Sequence, residues 1–355
     1  MEQRPDPGLG SAPYLRHGTD LGIGRGPGRG RGPGDGARPP GEPRHLRTVT
    51  GPLAVSAVRG PVLAHEHLVL DLDRAGDGAA VLDAERHGPA VVAELAALRE
   101  EYGLGLVVEL TCRGMGRRPH ALARISAASG VPVVAATGWY YEPFHPPELD
   151  GAGVEELTAT LVAEVEDGFG GTGVRPGVLG EIGSHGDAPT APETRVLLAS
   201  AHAAVATGLS VATHAQLGRG GLAQLALLTG AGLPPHRISL GHQDLLDAPS
   251  VHHELAASGA YVAFDTVGKE SYQSDTTRLR LLLALLEAGH ADRVLLSCDI
   301  SRHAYLRSAG GHGYGHLFRS FLPRVRAAGV DEDLIDLMTR RNPLRFLTGA
   351  DPKEN

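Results

Sequence analysis

Eight short apolar runs separated by amphipathic stretches constrain this chain more than any other feature. In order they are VLAHEHLVL, GLVVELT, VVAATGWY, GVLGEIG, SVATHA, ISLGHQ, AYVAFD and RVLLSCD. Between them lie segments such as 119–128, 154–167, 192–207 and 276–289, where apolar residues recur at three-to-four spacing. That is the period of a helix with one buried face. Gly208 and Gly289 follow two of these segments, where a helix commonly ends. Alternating strands and helices predict parallel βα units, and eight such units close a TIM-type (β/α)8 barrel. An open doubly wound sheet is the alternative that the pattern leaves. No G-x-G-x-x-G follows the first run, which counts against that alternative.

A barrel needs roughly 250–300 residues, and the chain has 355. The surplus is at the N-terminus. Residues 1–46 include GIGRGPGRGRGPGDGARPPGEPRH, glycine, proline and arginine with almost nothing to bury. Such a segment does not offset its ordering entropy and is expected to be disordered. A nucleic-acid tether of RGG type is the functional alternative to a plain extension. The barrel is expected over 47–350, with 351–355 as a short tail. A net charge of -8 argues against a nucleic-acid partner for the chain as a whole. No apolar run reaches the roughly 18 residues that span a bilayer, so no membrane partner is expected. The two cysteines, Cys112 and Cys298, lie in apolar runs. A disulfide framework is therefore not expected, and a reducing cytoplasm is the expected setting. Cys298 is expected to face outward, between strand and helix.

The polar residues inside these runs carry the chemistry. His65 and His67 are two apart in LAHEHLVL, so strand alternation points both imidazoles one way and Glu66 the other. Glu181 stands in the fourth run, His214 in the fifth, His242 in the sixth and Asp299 at the end of the eighth. Each is at or near the C-terminal end of its strand, the end where TIM-barrel active sites lie. Any one of them alone reads equally as a hydrogen-bonded core or rim residue. Four imidazoles and two carboxylates gathered at one mouth are costly to bury unless something pairs them. Two divalent cations do so, and His nitrogen with carboxylate oxygen suits zinc, manganese, cobalt or iron.

With H-x-H on strand one, an acidic residue on strand four, His on five and six and Asp on eight, the chain resembles the amidohydrolase superfamily. Within that superfamily it is similar to the phosphotriesterase family, particularly its homology and related proteins. The motifs are AHEH (64–67), TGWYYEPFHP (137–146), GVLGEIG (177–183), ATHAQ (212–216), GHQDL (241–245), FDTVGKESY (264–272), LSCDISRHAYL (296–306), GGHGYGH (310–316) and NPLRFL (342–347). The resemblance implies a cytoplasmic metal-dependent hydrolase with two divalent ions, zinc foremost, and a homodimer acting on a small-molecule substrate. Its metal ligands would be His65, His67, Glu181, His214, His242 and Asp299. Many members bridge their metals with a carbamylated lysine. The only lysines here are Lys269 and Lys353, so Glu181 takes that place; an arginine-paired structural glutamate is the alternative.

The family's proton relay, from the strand-eight Asp through a His after strand seven and an Asp after strand six, meets Thr266 and Leu245 here, with Asp244 and Asp265 beside them. The relay is therefore expected to be missing, and organophosphate hydrolysis is not the expected native activity. The expected reaction is attack by a metal-bridging hydroxide on an ester, a lactone or a related carboxyl or phosphoryl group. Asp299 would be the general base and then the acid. An N-acyl amide substrate is one alternative and a non-catalytic metal-binding relative another. Tyr140 after strand three and Arg302 after strand eight are the expected substrate contacts, against a rim packing residue and a salt bridge. Lys269 and Tyr272 are weaker candidates. His252, His253, His303, His312 and His316 read as surface or loop residues.

Overall fold

The computed structural model describes residues 45–351. The eight barrel strands are β1 (Val62–Glu66), β2 (Leu106–Glu109), β3 (Val133–Thr137), β4 (Val178–Ser184), β5 (Val211–Ala215), β6 (Ile238–Leu240), β7 (Tyr261–Phe264) and β8 (Val294–Leu296). The helix following each is α1 (Gly88–Tyr102), α2 (Pro119–Ser129), α3 (Val154–Asp167), α4 (Ala191–Thr207), α5 (Gly221–Gly230), α6 (Pro249–Ala257), α7 (Asp275–Glu287) and α8 (Leu322–Ala327). All strand pairings in this sheet are parallel and follow chain order from β1 to β8. The fold is the expected TIM-type barrel, nearly closed.

Two apolar layers follow from strand alternation. Val62, Val108, Val134, Ala136, Ala212 and Leu295 belong to an interior cluster that contains no residue of α1–α8. The intervening residues, among them Leu63, Val107 and Phe264, pack with Val91, Leu95 and Leu197 of the surrounding helices. Cys298 lies in this outer layer as expected, and both thiols are free and buried. Among the described residues, no helix is long and apolar enough to cross a membrane.

The interior is plugged from below. An antiparallel hairpin, His45–Thr48 with Gly51–Ala54, sends Leu46 into the inner cluster beside Phe346, and the Val49 amide donates to the Val133 carbonyl at 2.8 Å. The described hairpin thus takes in two residues before the expected boundary at 47, His45 and Leu46, because Leu46 has an apolar site to fill. The rest of the expected disordered extension, 1–44, and of the tail, 352–355, lies outside the described residues.

The ladder is irregular at two places. In β1, Leu63 pairs with Val107 and Glu66 with Glu109, three residues against two. In β4, Leu179 pairs with Val211 and Ile182 with Thr213, again three against two. Each is a one-residue bulge, which reverses the facing of everything after it. Val62 and Ala64 face inward before the first bulge; beyond it the odd residues His65 and His67 do. The second bulge does the same for Glu181, which regular alternation from Val178 would aim at the opposite, helix-facing side.

The last junction, β8 to β1, has no regular ladder. One backbone hydrogen bond and several side-chain bonds replace it. The Asp299 amide donates to the His65 carbonyl at 3.2 Å and the His65 amide to Ser297 Oγ at 3.1 Å. The fully buried Glu66 carboxylate accepts from Ser297 Oγ at 2.7 Å and from the Cys298 and Ile300 amides at 2.8 Å each. Burial pushes Glu66 up to about 7 against these three donors. Glu66 therefore points away from its two histidine neighbours and into the seam.

Close approach matters at Gly241, just before His242. A Cβ there would lie 2.1 Å from the Thr213 carbonyl oxygen on β5. Gly241→Ala is expected to force β5 and β6 apart, costing about 1–3 kcal/mol by overpacking. The urea midpoint checks it, and an unchanged midpoint would show that the strands yield freely.

Candidate metal centre

Glu181 is the hub of the mouth. Its carboxylate lies 3.1 Å from His67 Nε2, 3.2 Å from His214 Nδ1, 3.4 Å from His65 Nε2 and 3.6 Å from His242 Nε2. Asp299 Oδ1 is 3.3 Å from His67 Nε2 and 3.9 Å from His65 Nε2. All six expected ligands are brought together, each at most 6% exposed. No arginine pairs with Glu181 among the described residues, so its surroundings are imidazole throughout.

Each imidazole is oriented from behind. His65 Nδ1 meets Asp265 Oδ2 at 2.7 Å, and His242 Nδ1 meets the other oxygen, Asp265 Oδ1, at 2.9 Å. His67 Nδ1 is 2.8 Å from Thr111 Oγ1, and His214 Nε2 is 2.7 Å from Gln216 Oε1. With the outer nitrogens engaged, the inner ones face Glu181. His65 Nε2 is buried with no hydrogen-bond partner. An unpartnered ring nitrogen at that place, in a set of four imidazoles and two carboxylates, fits a divalent ion that displaces its proton. Two groups of ligand atoms are compact enough to hold one: His65, His67 and Glu181, and Glu181, His214 and His242. They share Glu181. His65, His242 and Asp265 form a third compact group, but Asp265 there meets the outer nitrogens and serves as their orienting carboxylate.

The backbone is bent to make this possible. His242 (φ 58°) and Asp299 (φ 48°) are both left-handed, a conformation costing about 1–3 kcal/mol for a residue with a side chain. Both amides are pinned, His242 by Asp265 Oδ1 at 2.8 Å and Asp299 by the His65 carbonyl.

The charges respond to one another. Burial alone would push Asp265 up, but the His242 and His65 rings hold it well below the carboxylate range. Glu181 is likewise held low by the surrounding imidazoles despite burial. Burial would push His67 and His242 down. The adjoining carboxylates overcome it, raising His67 to about 9 and His242 to about 10. Protons thus stand in for cations in the metal-free cluster. This contribution to stability is complete below the ordinary histidine value near 6.5 and fades as pH rises towards 9 and 10. Divalent ions must displace those protons. Loading the metal-free protein at pH 7 is therefore expected to release protons, and metal affinity to rise with pH. Titration calorimetry in buffers of different ionisation enthalpy measures the number released; none released would contradict this arrangement.

Above the cluster lies a cavity of about 210 Å³. Tyr140 is buried in its wall, with its hydroxyl 3.1 Å from His214 Nδ1. Arg302 lines it, beside Lys269, Ser301 and Tyr272. Lys269 makes a short ion pair with Asp299 Oδ2 and donates to Ser301 Oγ at 3.1 Å.

Asp244 and Asp265, beside the missing relay positions, are both occupied elsewhere. Asp265 orients histidines, and Asp244 is paired with the fully buried Arg278 at 2.6 Å and accepts from Thr266 Oγ1. Of the five histidines read as surface or loop residues, His252 departs: it is fully buried on α6, edge-to-face with Phe264 at 5.4 Å. Ser250, His253 and Glu254 around it are polar, but the helix turns it towards the barrel.

Residues 44–347 match the Phosphotriesterase family. The chain belongs to the phosphotriesterase family. It is similar to the phosphotriesterase homology protein of Escherichia coli (strain K12), 37% identical over 287 residues, or 81% of this chain and 97% of that protein. It is also similar to the N-acetyltaurine hydrolase of Homo sapiens, 32% identical over 274 residues, or 72% of this chain and 78% of that protein. The crystal structure of the Escherichia coli protein, complexed with phosphate in its active site, superposes with a TM-score of 0.79 at 36% identity. It covers 82% of this chain and 99% of that one. An organophosphorus hydrolase from Deinococcus radiodurans superposes with a TM-score of 0.77 at 32% identity, covering 88% and 99%. This phosphotriesterase-family chain is a hydrolase by that membership, with residues able to bind metal.

Three features of the centre were not singled out by sequence reading: Asp265 as a shared orienting carboxylate, Thr111 and Gln216 behind two rings, and the contact of Lys269 with Asp299. Asp265 had a signal, since it ends an apolar strand at the same height as the other polar residues.

Proposed function

We propose that this chain is a binuclear metallohydrolase of carboxyl esters or lactones. His65, His67 and Asp299 would hold one ion, His214 and His242 the other, and Glu181 would bridge both. The observation that carries this reading is a single carboxylate within 3.6 Å of four imidazoles whose other nitrogens are all engaged. When bound, the two divalent ions supply Lewis acidity and make water nucleophilic near neutral pH.

The chain's own residues do the rest. Asp299 stays ionised, since Lys269 and the nearby imidazoles outweigh its burial. It accepts the proton of the attacking water and passes it to the leaving group. Lys269 fixes Oδ2, leaving Oδ1 towards the histidines. Tyr140 packs on His214 and, with Arg302, shapes the substrate cavity. The Thr266 and Leu245 positions offer no relay to the outside.

An amide substrate is the second reading, favoured by relatives named N-acetyltaurine hydrolase in several vertebrates. Both readings place the same water against a carbonyl carbon. Elemental analysis of purified protein, with kinetics on matched lactones, aryl esters and N-acyl compounds, tests the proposal. About two divalent ions per chain and chelator-sensitive turnover of a lactone or ester are expected. Metal-free protein with full activity would overturn it, and turnover confined to N-acyl compounds would select the second reading.

A further inference from the structure

Glu193 closes the first turn of α4 and takes no part in the chemistry above. Thr190 Oγ1 accepts from the Glu193 amide at 3.3 Å, and Glu193 Oε2 accepts from the Thr190 amide at 2.9 Å, a reciprocal helix cap. Such a cap occupies one carboxylate oxygen and tolerates solvent, yet this side chain is fully buried. Its second oxygen leaves the helix. Oε1 meets His185 Nδ1 at 2.8 Å, in the loop after β4, and accepts from the Glu142 amide at 3.2 Å, in the loop after β3. Burial alone would push the carboxyl up, but the His185, Thr190 and Glu142 donors hold it below the usual range.

Glu142 directly follows the two aromatic residues that wall His214. Tyr141 stacks on the His214 ring, 5.2 Å between centroids and 5° from parallel, and Tyr140 meets that ring edge-on at 4.5 Å. His185 borders Tyr141 with its ring 5.9 Å away. The turn lies against β4 itself: a Cβ at Gly183 would come 2.6 Å from the Tyr141 amide nitrogen. His65 and His242 have the Asp265 carboxylate behind them, whereas His214 has the neutral amide of Gln216.

We propose that Glu193 is a positioning residue for one half of the centre: through Oε1 it ties the Tyr140–Tyr141 turn to the loop after β4, and so holds two aromatic rings against His214 in the orientation that a metal needs. The proposal rests on the metallohydrolase reading. An imidazole held behind by one neutral acceptor can swing about its Cβ–Cγ bond, and aromatic rings packed on it stop that motion. Groups that orient a ligand in this way are worth about 10- to 100-fold in metal affinity.

Glu193→Gln separates positioning from capping. Glutamine also closes such a cap, but it has one accepting oxygen instead of two. With that oxygen on the Thr190 amide, its NH2 group faces the Glu142 amide and His185, donor against donor. In the full chain, competition with a zinc chelator should show one of the two ions bound about 10- to 100-fold more weakly and the other little changed. The Glu142 amide of the metal-free chain should exchange its hydrogen at least about tenfold faster, the worth of one hydrogen bond to a charged group. Thr190→Val is the control for a merely structural role. It weakens the same cap and lowers the melting temperature, but should leave zinc affinity and Glu142 exchange as in wild type. Should Glu193→Gln not fold, His185→Phe keeps the cap and a ring beside Tyr141, and should weaken the same ion about 2- to 10-fold. Unchanged affinity for both ions, unchanged Glu142 exchange, or a loss equalled by Thr190→Val would overturn the proposal. Wild-type protein that binds no zinc would sink the metallohydrolase reading instead, and the tie would then stand or fall on the exchange of Glu142.

Discussion

Glu181→Gln is expected to strip at least one of the about two ions from the purified protein and to cut turnover by on the order of a thousandfold. The substitution keeps the size of the side chain but removes a negative charge and one oxygen that accepts. Four imidazoles lie within 3.6 Å of that carboxylate, so the loss falls on both halves of the centre at once. A companion expectation separates glutamate from carbamate chemistry. Glutamate is charged whenever the pH exceeds its value, whereas a carbamylated lysine forms only from carbon dioxide. Reassembly of the wild-type centre from metal-free protein should therefore be indifferent to added bicarbonate. Elemental analysis and a reconstitution time course measure both. Two retained ions with near-normal turnover in Glu181→Gln would make it a packed strand residue and leave the centre without its bridge.

Asp299→Asn should behave differently. Much of the metal should stay, because four histidines on the other strands and Glu181 remain, while turnover falls about 10²–10⁴-fold with the loss of the proton-transfer group. The same change leaves the Lys269 ammonium, 7% exposed, without its carboxylate. Breaking a buried pair in this way costs about 3–5 kcal/mol, so the metal-free variant should melt well below metal-free wild type. Equal melting temperatures would mean that Lys269 finds another partner. Unchanged turnover would remove Asp299 from the chemistry.

Much of this was readable before any coordinates. Short apolar runs ending in His, Glu or Asp marked both the strands and the rim, because a polar residue is tolerated in such a run only at its open end. The helices at 119–128, 154–167 and 192–207 fall within one residue of α2, α3 and α4. At α7 the expected end, marked by Gly289, lies two residues past Glu287, because the backbone has already turned at Ala288. The bulges in β1 and β4 were invisible: Val62, Leu63 and Ala64, and Val178 with Leu179, are apolar and suit either layer, so nothing in the sequence marks where the facing reverses. Asp265 was seen only as the neighbour of an absent relay residue, since orientation of two rings by one carboxylate depends on β1, β6 and β7 meeting in space. Arg302 was legible as a candidate, but its buried Nε without a hydrogen-bond partner was not, because pairing of an arginine is decided by the loops around it.

The two bulges also bear on how this protein can diverge. Substitution at the mouth changes the centre by degrees, one ligand or one wall at a time. Loss of the surplus residue, Ala64 or Gly180, would leave Leu63 and Glu66, or Leu179 and Ile182, opposite their present partners, so His65 with His67, or Glu181, would still face the mouth. What goes with that residue is the local bend and added twist of the strand. Drift by one residue of length within these two strands therefore alters where the ligands stand along the rim and not which face they take.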